Sequence, residues 1–319
     1  MTTPMPSTPQ PQQAPAPLPP QPAEQGATAP QGPWQGAPAG AYTSPIPIRT
    51  THIGHALASE WTKIRTVRST MWTLSVMFVL VVGIGLMTAF GLDSSSHAQA
   101  PLLSGGLFGL MLGQICILTL GVLVITSEFG TGMIRTTLTA CPARGRVLAA
   151  KAIVFFLVSF LMTLVATTLT AAIQSSTLSG KPAGEFASVP SDSIVGGELV
   201  AADGEWLRAT VGASLYVALL GLLALAVGSL LRHSAGAITT MLGVILLPLL
   251  LALFMQMESL RDLQEALVKY SPLNGLATMF GIPFLDDGSS GAWKLLLILA
   301  GITGVALAGA FAVTHNRDV

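Results

Sequence analysis

The sequence predicts an all-α integral membrane protein with six transmembrane helices. Only 9% of its 319 residues are charged and 51% are hydrophobic, whereas soluble domains carry about 25% charged residues. Six apolar runs without Asp, Glu, Lys or Arg are long enough to cross a bilayer, which takes about 20 helical residues. These runs do not show the alternating polarity of membrane β-strands. They extend approximately over Met71–Leu92, Leu102–Thr126, Ala152–Ile173, Ala209–Leu231, Ser234–Met257 and Leu295–His315.

The first 48 residues differ in composition from the rest of the chain. They hold 14 of the 21 prolines, seven glutamines and one charged residue, Glu24. Proline removes backbone donors, and glutamine and alanine offer no apolar core, so residues 1–48 are predicted to be a disordered tail. A spacer is favoured over a segment that docks a partner. Residues 52–319 form the predicted six-span domain.

The basic residues predict the orientation of the spans. Six spans place both termini on one side of the membrane. If that side is the cytoplasm, ten lysines and arginines lie inside and five outside. Basic residues concentrate in cytoplasmic loops near span ends. The sequence therefore predicts a multi-pass protein of the cell membrane with cytoplasmic N- and C-termini.

An amphipathic stretch precedes the first span. Its apolar residues recur every three or four positions: Ile53, Leu57, Trp61, Ile64, Val67 and Met71. Charged residues take the other side: Glu60, Lys63, Arg65 and Arg68. This division is typical of a helix lying in the plane of the headgroups, where lysine and arginine meet anionic lipid. The alternative is a basic flank of the first span. A second, shorter amphipathic helix is predicted around residues 260–270, at the outer surface.

No motif for catalysis or energy conversion is found in the sequence. The chain has no phosphate-binding P-loop, no metal-binding H-E-x-x-H or C-x-x-C and no G-x-S-x-G motif. A zero net charge gives no reason to expect nucleic acid binding. The two cysteines, Cys116 and Cys141, cannot form a disulfide framework. Because the predicted spans lack the ionisable groups that ion coupling requires, uphill transport would need energy from another subunit.

Glycine recurs every fourth residue at Gly105, Gly109 and Gly113. Such ridges of small residues let helix backbones approach closely in lipid. The sequence leaves open whether this ridge serves packing within one chain or contact between subunits.

The loop between the second and third spans carries a more specific pattern. Gly130 and Gly132 permit a sharp exit from the membrane, Met133–Thr139 suits a short helix, and Pro142 would end it. A short cytoplasmic helix of this kind offers a partner protein a place to act on the bundle. The alternative is an ordinary basic loop that anchors two spans.

Two stretches of the sequence carry a recognisable pattern. The first is SEWTKIRTVRSTMWTL over Ser59–Leu74. The second comprises EFGTGMIR over Glu128–Arg135 and RGRVLAAKA over Arg144–Ala152. Both resemble the membrane permease subunits of ATP-binding-cassette transporters, in the actinobacterial form of the type-2 exporter family. A weaker third match is YSPLN over Tyr270–Asn274. The proline-rich tail has no counterpart in the family pattern.

The resemblance implies a division of labour between subunits. Residues Ile53–Thr70 would be an amphipathic connecting helix, and Ser127–Ala143 a coupling helix that sits in a cleft of an ATPase subunit. Two permease chains, identical or different, and two ATPase chains would make the working unit, with ATP and Mg²⁺ bound by the ATPase. The residues expected to couple to it are Glu128, Gly130, Thr131, Arg135, Arg144 and Arg146. Glu128 and Arg135 are the leading pair, because seven residues are two turns of a helix.

The leading functional hypothesis is a permease subunit without its own ATPase or other catalytic site that exports a hydrophobic or amphipathic compound. The alternative is a membrane anchor or sensor that transports nothing and acts through its proline-rich tail. A secondary transporter driven by an ion gradient comes third.

Overall fold

The computed structural model describes residues 52–93, 100–140, 144–182, 193–255, 257–285 and 291–316. Chain contacts divide the protein into two units, Met1–Arg49 and Thr50–Val319. The tail predicted over residues 1–48 lies outside the described residues, as do Cys141 and Pro142 of the predicted coupling loop. The architecture that follows is that of the second unit.

The second unit is built almost wholly from helices. In chain order they are α1 (Ile53–Thr66), α2 (Arg68–Asp93), α3 (Gly106–Gly130), α4 (Met133–Ala140), α5 (Arg144–Leu178), α6 (Glu205–Leu207), α7 (Ala213–Leu231), α8 (Ser234–Phe254), α9 (Arg261–Lys269), α10 (Pro272–Met279) and α11 (Ala292–Asn316). A π-helical turn, Arg208–Gly212, joins α6 to α7. Two short antiparallel strands, β1 (Ile194–Val195) and β2 (Glu198–Leu199), form a hairpin before α6.

Six helical stretches are long and apolar enough to cross a membrane, which confirms the predicted number of spans. They are Arg68–Gly91, Gly106–Gly130, Gly145–Leu178, Glu205–Leu231, Ser234–Phe254 and Ala292–Thr314. All but the fifth extend beyond the apolar runs in the sequence at one end or both. The second continues past Thr126 to Gly130, and the third begins well before Ala152. Helix formation depends on backbone hydrogen bonds, so a helix continues through charged residues whose side chains find partners.

These extensions correct one prediction. Glu128 and Lys151 belong to spanning helices and are buried, whereas the sequence predicted spans free of ionisable side chains. The connecting helix also ends earlier than expected. Val67 has extended backbone angles (φ −77°, ψ 111°), so α1 ends at Thr66 rather than Thr70 and Arg68 begins α2.

The centre of the bundle is α7, whose residues are mostly buried against α3, α5 and α11. Glycines set the spacing between α3 and α7. A Cβ on Gly121 would meet the carbonyl oxygen of Gly221, and one on Gly228 would lie 3.2 Å from the carbonyl oxygen of Val122. Close contact of this kind replaces the hydrophobic effect as the source of helix association in lipid.

The predicted glycine ridge of α3 packs within the chain. A Cβ on Gly109 would lie 2.7 Å from the carbonyl oxygen of Val81 on α2, and one on Gly113 would lie 2.8 Å from the Val81 side chain. Gly105 faces side chains of α2 and α5, Thr88 and Gln174. The sequence left open whether the ridge serves packing within one chain or contact between subunits. In the structure it packs α3 against its neighbours in the same chain.

One end of the bundle is formed by α1, α4, the last turn of α3 and the first turns of α5. We call it the α4 end.

At the opposite end, α9 is the short surface helix expected around residues 260–270. It is followed by a buried helix, α10, that the sequence did not predict. Ser271 caps α10 by accepting a hydrogen bond from the backbone N–H of Asn274, at 3.1 Å. The Asn274 side chain donates to Lys269 O and accepts from Phe284 N, which fixes the turns on both sides.

Candidate functional site

Four charged side chains from three helices meet at the α4 end. Glu60 and Lys63 come from α1, Glu128 from α3 and Lys151 from α5. Lys151 Nζ donates to Glu60 Oε2 at 2.8 Å and to Glu128 Oε1 at 3.0 Å. Lys63 Nζ donates to Glu60 Oε1 at 2.7 Å and to Glu128 Oε1 at 2.8 Å. Each ammonium therefore bridges both carboxylates, and we call these four residues the charge network.

The charge network is mostly shielded from water. The side chains of Lys151, Glu60 and Glu128 are 2%, 6% and 7% exposed, and only that of Lys63 is partly open, at 30%. Two carboxylates and two ammonium groups give a formal charge of zero. A buried ion is tolerated when a partner of opposite charge and hydrogen bonds compensate its desolvation. The network meets that condition as a set of four.

Local helix geometry explains why the four residues meet. Glu60 and Lys63 are three positions apart, so they share one face of α1 with Ile64, which is also buried. Glu128 lies in the last turn of α3, two residues before its end. Lys151 lies in the second turn beyond the start of α5, where α1 packs across it.

The environment of Lys63 favours its charged form. Burial alone would lower the pKa of this side chain. Hydrogen bonds to Glu128 and Glu60, together with the charges of both carboxylates, outweigh burial and raise the pKa of Lys63 above its ordinary value of 10.5. Lys63 is therefore protonated throughout the physiological range.

A sharp turn connects the charge network to α4. Thr131 closes α3, with its N–H and its hydroxyl both donating to Ser127 O at 3.0 and 2.7 Å. Gly132 then adopts a positive φ of 72°, a conformation that favours glycine. The helix α4 starts at the next residue, Met133, and buries Ile134. Only Thr131 and Gly132 separate α4 from the helix that carries Glu128.

The turn between α7 and α8 also reaches this region. The Arg232 guanidinium lies 5.1 Å from the centre of the Phe129 ring, the residue after Glu128. Arg232 has a positive φ of 53°, and its N–H closes α7 by donating to Gly228 O at 2.9 Å. His233 Nδ1 accepts from Gly236 N at 3.0 Å and caps α8. The last turn of α3 is thus in contact with α1, α5 and the α7–α8 turn.

The structure brings together part of the predicted coupling set. Glu128, Gly130 and Thr131 lie in and beside the last turn of α3, and Arg146 lies half-buried in the first turn of α5. Arg135 and Arg144 belong to α4 and α5, but their side chains lie outside the described part of the chain. The idea that Glu128 and Arg135 share one helix face is wrong. The break at Thr131 and Gly132 places them on separate helices.

The orientation of α1 differs from the amphipathic prediction. Glu60 and Lys63 face the bundle rather than the headgroups, because both carboxylates and both ammonium groups find partners there. Trp61 is exposed on the opposite side, together with Arg65 and with Arg68 at the start of α2. The polar face of α1 is therefore divided between the interior and the surface.

Sequence reasoning missed Lys151 as a site residue, because it lies just outside the third span predicted from Ala152. Its position offered one indication: Lys151 lies seven residues, or two helical turns, after Arg144, and it directly precedes the apolar run that begins at Ala152. A lone lysine at that depth calls for a carboxylate partner. Nothing in the spacing identified Glu60 and Glu128 as the partners.

A partly open cavity of about 280 Å³ lies beside the charge network. Glu128, Lys63 and Lys151 form one side of it, and apolar side chains of α1 and α3 form much of the rest. Within the described ranges, no group of three His, Cys, Asp or Glu side chains is arranged to hold a metal ion.

The sequence matches a known transporter family over the segment that contains the site. Residues 56–202 match the family model described as ABC-2 family transporter protein. The resemblance drawn from the motifs is confirmed. The matched segment contains all four residues of the charge network, α4 and the first three spans. No curated protein matches the chain. The family match and the six apolar helices together support a membrane transporter permease.

Proposed function

We propose that the chain is the permease subunit of an ABC transporter that exports a hydrophobic or amphipathic compound across the cell membrane. Energy would come from ATP and Mg²⁺ bound by a separate ATPase subunit. The observation that carries the proposal is the ABC-2 family match over residues 56–202, which includes most of α1, all of α4 and the charge network. The working unit would contain two permease chains and two ATPase chains, with the α4 end in the cytoplasm. The excess of basic residues on that side supports this orientation.

The geometry at the α4 end suits the transmission of force from a partner. An ATPase that moves α4 would move the end of α3 with it, because only Thr131 and Gly132 lie between the two helices. Glu128 in that last turn is bound to lysines of α1 and α5. A displacement of α4 would therefore reach three helices at once. In this proposal Glu128, Gly130, Thr131, Arg135, Arg144 and Arg146 remain the coupling residues, and Glu60, Lys63 and Lys151 join them.

The first test is affinity purification of the tagged full-length protein from its native membranes in mild detergent, followed by mass spectrometry. Recovery of a subunit with a G-x-x-x-x-G-K-[ST] loop in comparable amount would support the proposal. Recovery of a folded protein without any ATPase would overturn it. Loss of activity on deletion of residues 1–48, with the ATPase complex intact, would favour the anchor or sensor that acts through its tail.

The second test addresses α4 itself. Arg135→Glu should insert normally and assemble, yet stimulate the ATPase at least about tenfold less than the unaltered chain. Lys294→Glu, an equal charge reversal at an exposed residue at the start of α11, serves as the matched control and should leave stimulation unchanged. Equal stimulation by both variants would remove α4 from the coupling role.

A further inference from the structure

The cavity beside the charge network contains a hydrogen-bond acceptor with no partner in the described part of the protein. Glu128 Oε1 accepts from Lys63 and Lys151, and both oxygens of Glu60 are also engaged. No donor among the described residues reaches Glu128 Oε2, although this oxygen is buried. A buried carboxylate oxygen without a donor costs free energy, because nothing replaces the hydrogen bond it would make with water. Glu128 lines the cavity, so a molecule in it could supply the missing donor.

Much of the rest of the cavity wall is suited to an apolar chain. Six apolar residues line it, together with the hydroxyl side chains of Ser69, Thr70, Thr73 and Ser127. The apolar residues are Ile64, Val67, Leu120, Leu123, Val124 and Met133. An apolar cavity of about 150 Å³ holds one benzene molecule. On that scale, the 280 Å³ found here accommodate about ten non-hydrogen atoms. The cavity therefore fits the headgroup and first part of the tail of an amphiphile.

The charge balance selects the chemistry of the headgroup. The network is already neutral, with two carboxylates and two ammonium groups. A cationic headgroup would add an uncompensated charge at a largely buried place, and an anionic one would meet Glu128 Oε2. A hydroxyl can donate to Glu128 Oε2. The same hydroxyl can also accept a hydrogen bond from the third N–H of the Lys63 ammonium group. The other two N–H groups of Lys63 are used in its ion pairs.

We propose that this cavity binds the hydroxyl headgroup of a neutral amphiphile, with the hydroxyl donating to Glu128 Oε2 and the tail lying along Leu120, Leu123 and Val124. The inference rests on the proposed transport function: the molecule in the cavity is the transported compound. Glu128 belongs both to this cavity and to the charge network. A bound molecule would therefore contact the residue that joins α1, α3 and α5.

The test uses the full-length protein in nanodiscs of phosphatidylcholine, a lipid whose headgroup has no hydrogen-bond donor. A diazirine-bearing octanol is photo-crosslinked, and the labelled residues are mapped by mass spectrometry. Two unlabelled isomers then compete: 1-octanol, which has a hydroxyl, and heptyl methyl ether, which has none. Octanol should displace the label from residues of this cavity at a concentration about tenfold lower than the ether. Equal displacement by the two isomers would overturn the proposal.

A cavity-filling variant gives an independent readout that leaves the charge network untouched. Leu123→Trp should reduce labelling of the cavity residues about tenfold by occupying the space. Ile115→Trp is the matched control, because Ile115 lies on the same helix with a similar exposure, 37% against 40% for Leu123, and does not line the cavity. Equal labelling of the two variants would also overturn the proposal.

The lipid composition of the nanodiscs tests whether the occupant is a transported compound or a lipid of the membrane. If half of the phosphatidylcholine is replaced by phosphatidylglycerol, labelling should not change. A strong reduction would overturn the assignment to a transported compound, because the glycerol hydroxyls of a resident lipid would then occupy the cavity. Binding is measured without the ATPase, so its outcome is separate from that of the purification experiment. If octanol binds selectively but no ATPase copurifies with the protein, the transport function is refuted and the assignment of the binding site stands.

Discussion

Lys151 Nζ lies 2.8 Å from Glu60 Oε2, although 91 residues separate the two in the chain. This contact attaches α1, which is not one of the six spans, to the third of them. It also explains why a lysine that is 2% exposed is tolerated inside an apolar bundle. Glu128 completes the arrangement from α3, so the attachment of α1 and the position of α4 depend on the same ions.

Replacement of Lys151 by methionine should be strongly destabilising. The variant leaves two buried carboxylates with Lys63 as their only cation in the network, and removal of one partner of a buried ion pair costs about 3–5 kcal/mol. Thermal or denaturant unfolding in detergent measures the loss. Lys294→Met, the same change at an exposed lysine, should have little effect. The double variant Lys151→Met/Glu60→Gln should recover part of the loss, since one unpaired charge disappears. Equal stability of the two lysine variants would contradict the role of the network.

The attachment of α1 should resist alkali up to high pH. The pKa of Lys63 is raised in the folded protein, so its contribution to stability is fully present below about pH 10.5, the ordinary lysine value. The contribution is lost as the pH rises through the still higher value in the folded state. A nitroxide label on exposed Ser59, in a variant with both cysteines replaced by serine, should keep constant mobility from about pH 7 to 10 and become mobile above about 10.5. A control label on exposed Thr240 should not respond, and loosening of α1 near pH 9 would argue against the predicted direction of the shift.

Two glycine substitutions separate close packing from helix propensity. A methyl group at Gly109 would meet the backbone of Val81, whereas one at Gly83 meets nothing within 4 Å. Gly109→Ala should cost about 1–3 kcal/mol through overpacking. Gly83→Ala should be neutral or stabilising by up to about 1 kcal/mol, because alanine is the better helix former. Unfolding midpoints of the two variants give the comparison, and similar values would mean that α2 and α3 can move apart at no cost.

The contact between Arg232 and Phe129 should stabilise the junction of the α7–α8 turn with α3. A cation–π contact contributes about 0.5–2 kcal/mol, depending on how much water is excluded. A double-mutant cycle with Phe129→Leu and Arg232→Met isolates this contribution from the other effects of each change. A coupling energy near zero would show that the two side chains are neighbours without mutual stabilisation.

The spans could be predicted from the sequence because six apolar runs without charged residues have one stable arrangement in lipid, the helix. The break between α3 and α4 was also predictable, since Gly130 and Gly132 flank a single residue in a loop. The positive φ of Gly132 accounts for the glycine at that position.

The charge network could not be predicted in the same way. The contacts between its three helices join residues that are 23, 65 and 91 positions apart along the chain, and no periodic pattern links helices at such distances. The prediction treated charge as a marker of helix ends, so Glu128 and Lys151 were placed outside the spans. The buried helix α10 was missed for a related reason. Eight residues enclosed by turns are too few to give an apolar periodicity, and the helix depends on the Ser271 cap and the Asn274 side chain.

The neutrality of the charge network has an electrical consequence. Moving one elementary charge through the full membrane potential takes about 2.3 kcal/mol per 100 mV. A cluster of two positive and two negative side chains that shifts as a unit carries no net gating charge. Rearrangement of α1, α3 and α5 around these four residues would therefore require the same work in an energised cell as in a depolarised one.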